Sequence, residues 1–244
     1  MRKRDLSLTP RIEDKRDKKA ITPPVHFRLS EIKQHFDESM QSVKEQFTVA
    51  DNLLSEGNTE GCQIIWRSQI VFAESLLDFF LHEMSKYCLF RMFTGEWEKS
   101  EKYKNLEVKM SKVEEGLAAK ESDEWFFEYL NERFTKDVFL SGDSMREQLN
   151  LIGIVFGEAM HKAFHKETVN ISDKYGYKLV GQLFARRNKI AHQNDRDHSS
   201  AAQTDITKEY VEHIYQTFKL SLMPYMILQK IRTMLSTLRK YIIF

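Results

Sequence analysis

Residues 61–90 read GCQIIWRSQIVFAESLLDFFLHEMSKYCLF. After the first glycine there is neither glycine nor proline, and apolar residues fall on nearly every side of a helical projection. Such a segment predicts one long helix over roughly 60–91, and a helix apolar nearly all round must be wrapped by others. The rest of the chain supplies wrapping material. Only nine glycines and four prolines punctuate 244 residues, so long helices with few tight turns are expected. The expected fold is therefore all-α, a single helical bundle with no strand.

Elsewhere the apolar residues recur at three- and four-residue steps. Ile32, Phe36, Met40, Val43, Phe47, Ala50 and Leu54 predict a helix that Ser30 could cap and SEGN, 55–58, ends. Residues 99–118 are highly charged and predict an exposed helical excursion. A short helix follows over 122–134, with Ser122 as cap, then a loop at 140–144. Leu149, Ile152, Val155, Phe156, Met160 and Phe164 predict one long helix over 144–165. Residues 166–177 read as a connection, and a further helix runs to about His192. A polar loop leads to a helix that Thr207 can cap, with Val211, Ile214, Phe218 and Leu222 inward. Pro224 should kink or end it, and a last helix over 226–241 is expected. Residues 1–26 are polar and broken by Pro10, Pro23 and Pro24, which predicts a flexible or extended tail ahead of a helical domain over 27–244.

Charge and cysteine usage narrow the functional classes. The net charge is +1, so no overall polyanion signature exists, although the first twenty residues carry eight basic against four acidic side chains. Cys62 and Cys88 have neither metal-site nor redox spacing. The start lacks an apolar signal region, and the best membrane candidate, LSLMPYMIL at 220–228, is short and contains Pro224. A soluble, cytoplasmic protein with no cofactor is expected.

One segment departs from the core pattern: FARRNKIAHQND, residues 184–195. At about 100° per residue, Leu179, Val180, Leu183, Phe184, Ile190 and Ala191 share one stripe, and Arg187 falls near its middle. Arg186 sits at the stripe's edge. An arginine there either snorkels its head to solvent, bonds a buried carboxylate, or faces a ligand. On the central helix Glu74, Asp78 and Arg67 form a polar seam within about 40°. These acids are candidates to hold Arg187 or a histidine; a closed ion network with no chemistry is the alternative.

The words RRNKIAHQ resemble the Arg-x4–6-His signature of HEPN-domain ribonucleases. The buried segment RSQIVFAESLLDFFLHEM and the later DITKEYVEHIYQTFKLSL are similar to the RiboL-PSP-HEPN branch, and the likeness covers roughly residues 30–225. It implies a compact helical domain that forms a homodimer, with two motifs meeting in a cleft between protomers. It implies a metal-independent endoribonuclease, acting on RNA such as tRNA or mRNA, in phage defence or toxin-type growth control and under a possible regulatory partner. By this likeness Arg187 and His192 would be the catalytic pair and Asn188 an assisting polar residue. Arg186 also meets the loose spacing, but the following asparagine favours Arg187. The alternative is a non-catalytic HEPN-type dimerisation or interaction module that serves a partner protein.

The chemistry suits these side chains. RNA carries its own nucleophile, the 2′-OH; a neutral histidine can take its proton, and a guanidinium can neutralise the pentacoordinate phosphate. Geometry adds a constraint, because Arg187 and His192 stand about 140° apart on an ideal helix. The helix loosens near its end, the arginine reaches round, or a second protomer completes the site. Of the competing signals, His161 and His165 stand at i, i+4 with Glu158 nearby, but no third ligand beyond Asp173 is evident and no metal is expected. No phosphate-binding glycine loop is present.

Overall fold

The computed structural model of the chain describes residues 25–119, 122–164 and 173–220, with side chains throughout except at 161–164, 173–176 and 219–220. It is an all-helical bundle. The described residues form nine helices: α1 Leu29–Ser55, α2 Thr59–Phe93, α3 Glu101–Lys104, α4 Met110–Ala118, α5 Glu124–Phe134, α6 Gly142–Leu151, α7 Phe156–Phe164, α8 Asp173–Gln193 and α9 Lys208–Leu220. Among them no strand forms; the one bridge pairs Arg196 with Gln203. No described helix is long and apolar enough to cross a membrane. The expected tail lies almost wholly outside the described residues, as do Leu222, Pro224 and the helix expected over 226–241.

The apolar segment at 61–90 forms the centre of the bundle, and α1, α5, α8 and α9 pack around it. Ile70, Phe80, Met84, Cys88, Leu89 and Met92 of α2 have no exposed surface. Full burial of each such large side chain favours folding by roughly 1.5–3 kcal/mol. One side of α2 stays open: Ile64, Phe72 and Phe79 are 53%, 50% and 43% exposed. The helix is thus less completely wrapped than its composition suggests.

Several boundaries differ from the sequence reading. Helix α1 starts at Leu29, ahead of Ser30, and Glu31 Oε2 accepts from the Arg28 amide at 2.6 Å. Leu54, expected inward, is 45% exposed. The loop expected at 140–144 is instead a helix start: Ser141 Oγ caps α6 by accepting from Ser144 N at 3.0 Å. The charged excursion is real but divided into α3 and α4, neither of which buries a residue. Ser122 Oγ accepts from Glu124 N at 3.2 Å at the start of α5.

The helix expected over 144–165 is two helices. Gly153 adopts φ +79°, Ile154 N donates to Leu149 O at 2.8 Å, and Gly153 N donates to Asn150 O at 3.1 Å. This is a Schellman ending, and Leu149 and Ile154, the pair of positions whose apolar contact commonly accompanies it, are both buried. Val155, placed in the stripe by periodicity, is 51% exposed as a result.

Gly153→Ala tests the break. A Cβ there would meet only ordinary contacts, Ser100 Cβ at 3.7 Å and Met92 Cε at 3.9 Å, so the cost should come from the left-handed backbone alone. The expected loss is about 1–2 kcal/mol in urea unfolding, with the helical content of the folded state unchanged. A variant as stable as the parent would show that the left-handed ending is dispensable.

Candidate functional site

Helix α8 carries the arginine–histidine motif. It runs unbroken to Gln193, so the helix does not loosen between Arg187 and His192. Val180 and Leu183 are buried against the core, Phe184 and Ile190 half-buried, and Ala191, expected in the stripe, is exposed. Arg187 and Asn188 are half-buried, and Arg187 Nη1 donates to Asn188 Oδ1 at 3.0 Å. His192 is exposed in the last turn, and its side chain makes no hydrogen bond among the described residues. The two motif side chains therefore occupy different faces, as the ideal helical angle requires.

Beneath Arg187 lie the two acids of α2. Glu74 is 2% exposed, and neither of its oxygens accepts a hydrogen bond from a described residue. Burial pushes its pKa up to about 8, against the pull of the Arg187 charge, and Asp78 pushes in the same direction as burial. Asp78 also titrates above its ordinary range, chiefly because it is buried. The Phe139 amide, which donates to Asp78 Oδ1 at 2.8 Å, and the charges of His82 and Arg187 oppose that rise. Arg187 Nε likewise finds no acceptor. The acids sit within the field of Arg187 without closing an ion pair on it.

Arg67 does not belong to this seam, contrary to the sequence reading. It turns toward Asp195, a residue singled out by no pattern. Asp195 is fully buried, and its Oδ2 accepts from Arg67 Nε at 3.1 Å and from Arg186 Nη2 at 2.7 Å. Arg186 also donates to Asp205 O at 3.0 Å, and Arg67 Nη2 to Thr204 O at 2.9 Å. Arg186 lies 5.7 Å from the centre of the Tyr210 ring on α9. Arg186 is thus occupied in joining α2, α8 and the 194–205 loop, which leaves Arg187 as the arginine of the motif with guanidinium capacity to spare.

The local chain explains how an aspartate reaches that position. Asn194 and Asp195 have φ of 49° and 59°, a left-handed pair that Asn and Asp tolerate better than most residues. The turn lets Asp195 N donate back to Lys189 O at 2.9 Å. Thr204 N then donates to Asp195 O at 2.9 Å, and Lys189 Nζ to Thr204 Oγ1 at 2.9 Å. The segment read as a polar loop is a folded-back clasp. The Asn-Asp pair after a helix end is the only sequence signal that points to it.

The side chains of His161 and Asp173 and all of His165 lie outside the described residues. Among the described residues no group of three or more metal-type ligands forms. Compared with protein-family models, curated proteins and solved structures, the chain matches none.

Two outcomes follow. Asp195→Ala removes the carboxylate shared by buried Arg67 and half-buried Arg186, so chemical unfolding should show a loss of about 3–5 kcal/mol. A loss under about 1 kcal/mol would mean that the clasp does not hold α8 to α2. Glu74 gives a pH signature. Its ordinary pKa is 4.5 and in the fold it rises to about 8, so the folded chain holds this proton more tightly than the unfolded chain. Its contribution to stability is best below about pH 4.5, worsens as pH rises to about 8, and is constant above. The stability advantage of Glu74→Gln over the parent should open across that window to roughly 3–5 kcal/mol. A difference flat with pH would mean that Glu74 ionises normally.

Proposed function

We propose that this chain is a metal-independent endoribonuclease of HEPN type that acts as a homodimer. The observation that carries the reading is the setting of Arg187. It is a half-buried guanidinium over two acids of raised pKa, bonded to Asn188, five residues ahead of an exposed histidine on an unbroken helix. A guanidinium held but not neutralised suits a phosphate that gains charge during the reaction.

In the proposed reaction His192 takes the proton of a ribose 2′-OH. The O2′ attacks the adjoining phosphorus, and the P–O5′ bond breaks. Arg187 holds the equatorial oxygens of the pentacoordinate phosphate, with Asn188 orienting the guanidinium. The departing O5′ takes a proton from the imidazolium, which returns histidine to its neutral form. The products are a 2′,3′-cyclic phosphate and a 5′-OH, and DNA, lacking the nucleophile, is not cut.

The need for two copies comes from orientation. Arg187 and His192 face different ways in one chain, so a composite site with an arginine and a histidine from opposite protomers removes the angular conflict. The open side of α2 supports this arrangement. Ile64, Phe72 and Phe79 fall within about 80° of one another on that helix. Cover by a second copy would bury them. RNA such as tRNA or mRNA is the substrate class, and phage defence or toxin-type growth control under a regulatory partner is the context.

A second reading has one observation in its favour. The exposed His192 side chain makes no hydrogen bond or ion pair among the described residues, which suits a module in which the motif serves dimerisation or a partner rather than chemistry. Labelled total RNA incubated in EDTA separates the two. Cleavage should survive EDTA, leave cyclic phosphate ends, and fall by at least about 10²-fold in both Arg187→Ala and His192→Ala. Mixing the two inactive variants should restore part of the activity, since a mixed dimer contains one intact composite site. No cleavage by folded, dimeric protein would favour the module. Activity undiminished in strictly monomeric protein would overturn the composite site.

A further inference from the structure

A cleft of about 820 Å³ opens between the α3–α4 excursion and the segment from the end of α5 through α6. No residue of the arginine–histidine motif lines it. Its volume lies within the ~300–1,000 Å³ range of ligand sites. Three features of its lining point to one kind of occupant.

The first is uncommitted positive charge. The side chains of Lys102 and Lys136 make no hydrogen bond or ion pair among the described residues, and both are exposed. Arg133 donates only to neutral oxygens, Glu107 O at 3.1 Å and Tyr129 Oη at 2.8 Å. The second is a buried amide with an unused donor. Gln148 is 5% exposed in the cleft lining, and its Nε2 has no acceptor. A buried amide donor without a partner costs free energy that a ligand acceptor would relieve. The third is position. The wall residues 137–139 are bonded to α2: Phe139 N donates to Asp78, and His82 Nε2 lies 3.1 Å from Asp137 O. Asp78 stands in the field of Arg187, so the cleft backs onto the acids beneath the motif.

We propose that this cleft holds an unpaired nucleotide of single-stranded RNA. Gln148 turns its buried, unbonded amide donor outward to read the base edge, and Lys102, Arg133 and Lys136 take the adjoining phosphates. Val138 and Leu106 offer apolar surface to the base. Glu107, Asp137 and Glu147 also line the cleft, and their charge repels an extended run of phosphates. The occupant is therefore a nucleotide or two rather than a duplex. The choice of RNA among phosphate-bearing ligands rests on the ribonuclease reading of Arg187.

The test uses the full chain and a fluorescein-labelled, roughly ten-nucleotide 2′-O-methyl RNA, a length on the scale of single-strand sites. Its capped 2′-oxygens prevent cleavage, so binding is read by anisotropy without turnover. Lys102→Ala with Lys136→Ala should weaken binding roughly tenfold or more and reduce the salt slope by about 1.4, the value for two single-strand phosphate contacts. Both lysines are exposed and unbonded, so the variant should fold as the parent does. Gln148→Met should flatten the preference among the four homopolymers. Absence of binding by the unmodified chain, or unchanged affinity and salt slope in the lysine pair, overturns the proposal. Unchanged homopolymer preference in Gln148→Met overturns the role of that amide. Loss of binding in the lysine pair, with no cleavage by the unmodified chain, leaves the cleft standing and removes the ribonuclease. Cleavage that depends on Arg187, with binding indifferent to the lysines, does the reverse.

Discussion

A single buried carboxylate, that of Asp195, joins the two helices on which the candidate site is built. It holds Arg67 of α2 and Arg186 of α8 through one oxygen, and both guanidinium groups extend to carbonyls at 204 and 205. Two cations around one anion leave an excess positive charge in a nearly dry place. Such a group persists only when geometry satisfies most of its donors, and the clasp loop supplies the missing acceptors. The consequence reaches the motif. With Arg186 fixed to α2, the roll of α8 about its axis is set, and the next residue, Arg187, is directed toward Glu74 and Asp78.

The acids beneath Arg187 are held differently. A closed ion pair would neutralise the arginine and spend its capacity on structure. Here burial keeps Glu74 protonated up to about pH 8, and Asp78 gives one oxygen to the Phe139 amide. The field of half-buried Arg187 is then left largely uncancelled. A guanidinium in that state binds a phosphate more strongly than one paired with a full carboxylate, because less of its field is already cancelled. Ionisation of Glu74 would change that balance, so the buried acid governs how available the arginine is.

Much of this was legible in the residues, and the failures share a cause. The periodicities of α1, α2, α8 and α9 report burial directly, because each core position repeats at the helical period. The placement of Arg187 within its stripe, and its divergence from His192, follow from the same arithmetic. The break at Gly153 escaped because Ile152, Phe156 and Met160 continue an apolar rhythm across it; only backbone handedness separates α6 from α7. Asp195 escaped for a related reason. Its burial depends on two consecutive left-handed residues and on partners 128 and 9 positions away. A projection groups Arg67 with the acids of its own helix because it holds neighbours on one helix and nothing that folds back from another.

This difference between one-helix and many-helix information bears on the motif itself. An arginine and a histidine five residues apart look like a pair on paper, yet on an unbroken helix they diverge. A reaction that needs both at one phosphate must then draw them from surfaces that meet in space rather than in sequence. The open apolar side of α2, with Phe72 and Phe79 about half exposed, is the surface that a second copy would cover in the proposed dimer. In that arrangement the clasp at Asp195 has a further effect. By fixing the roll of α8 it sets both the depth of Arg187 and the outward direction of His192. One buried carboxylate would then orient, in each protomer, the half-site that the other protomer completes.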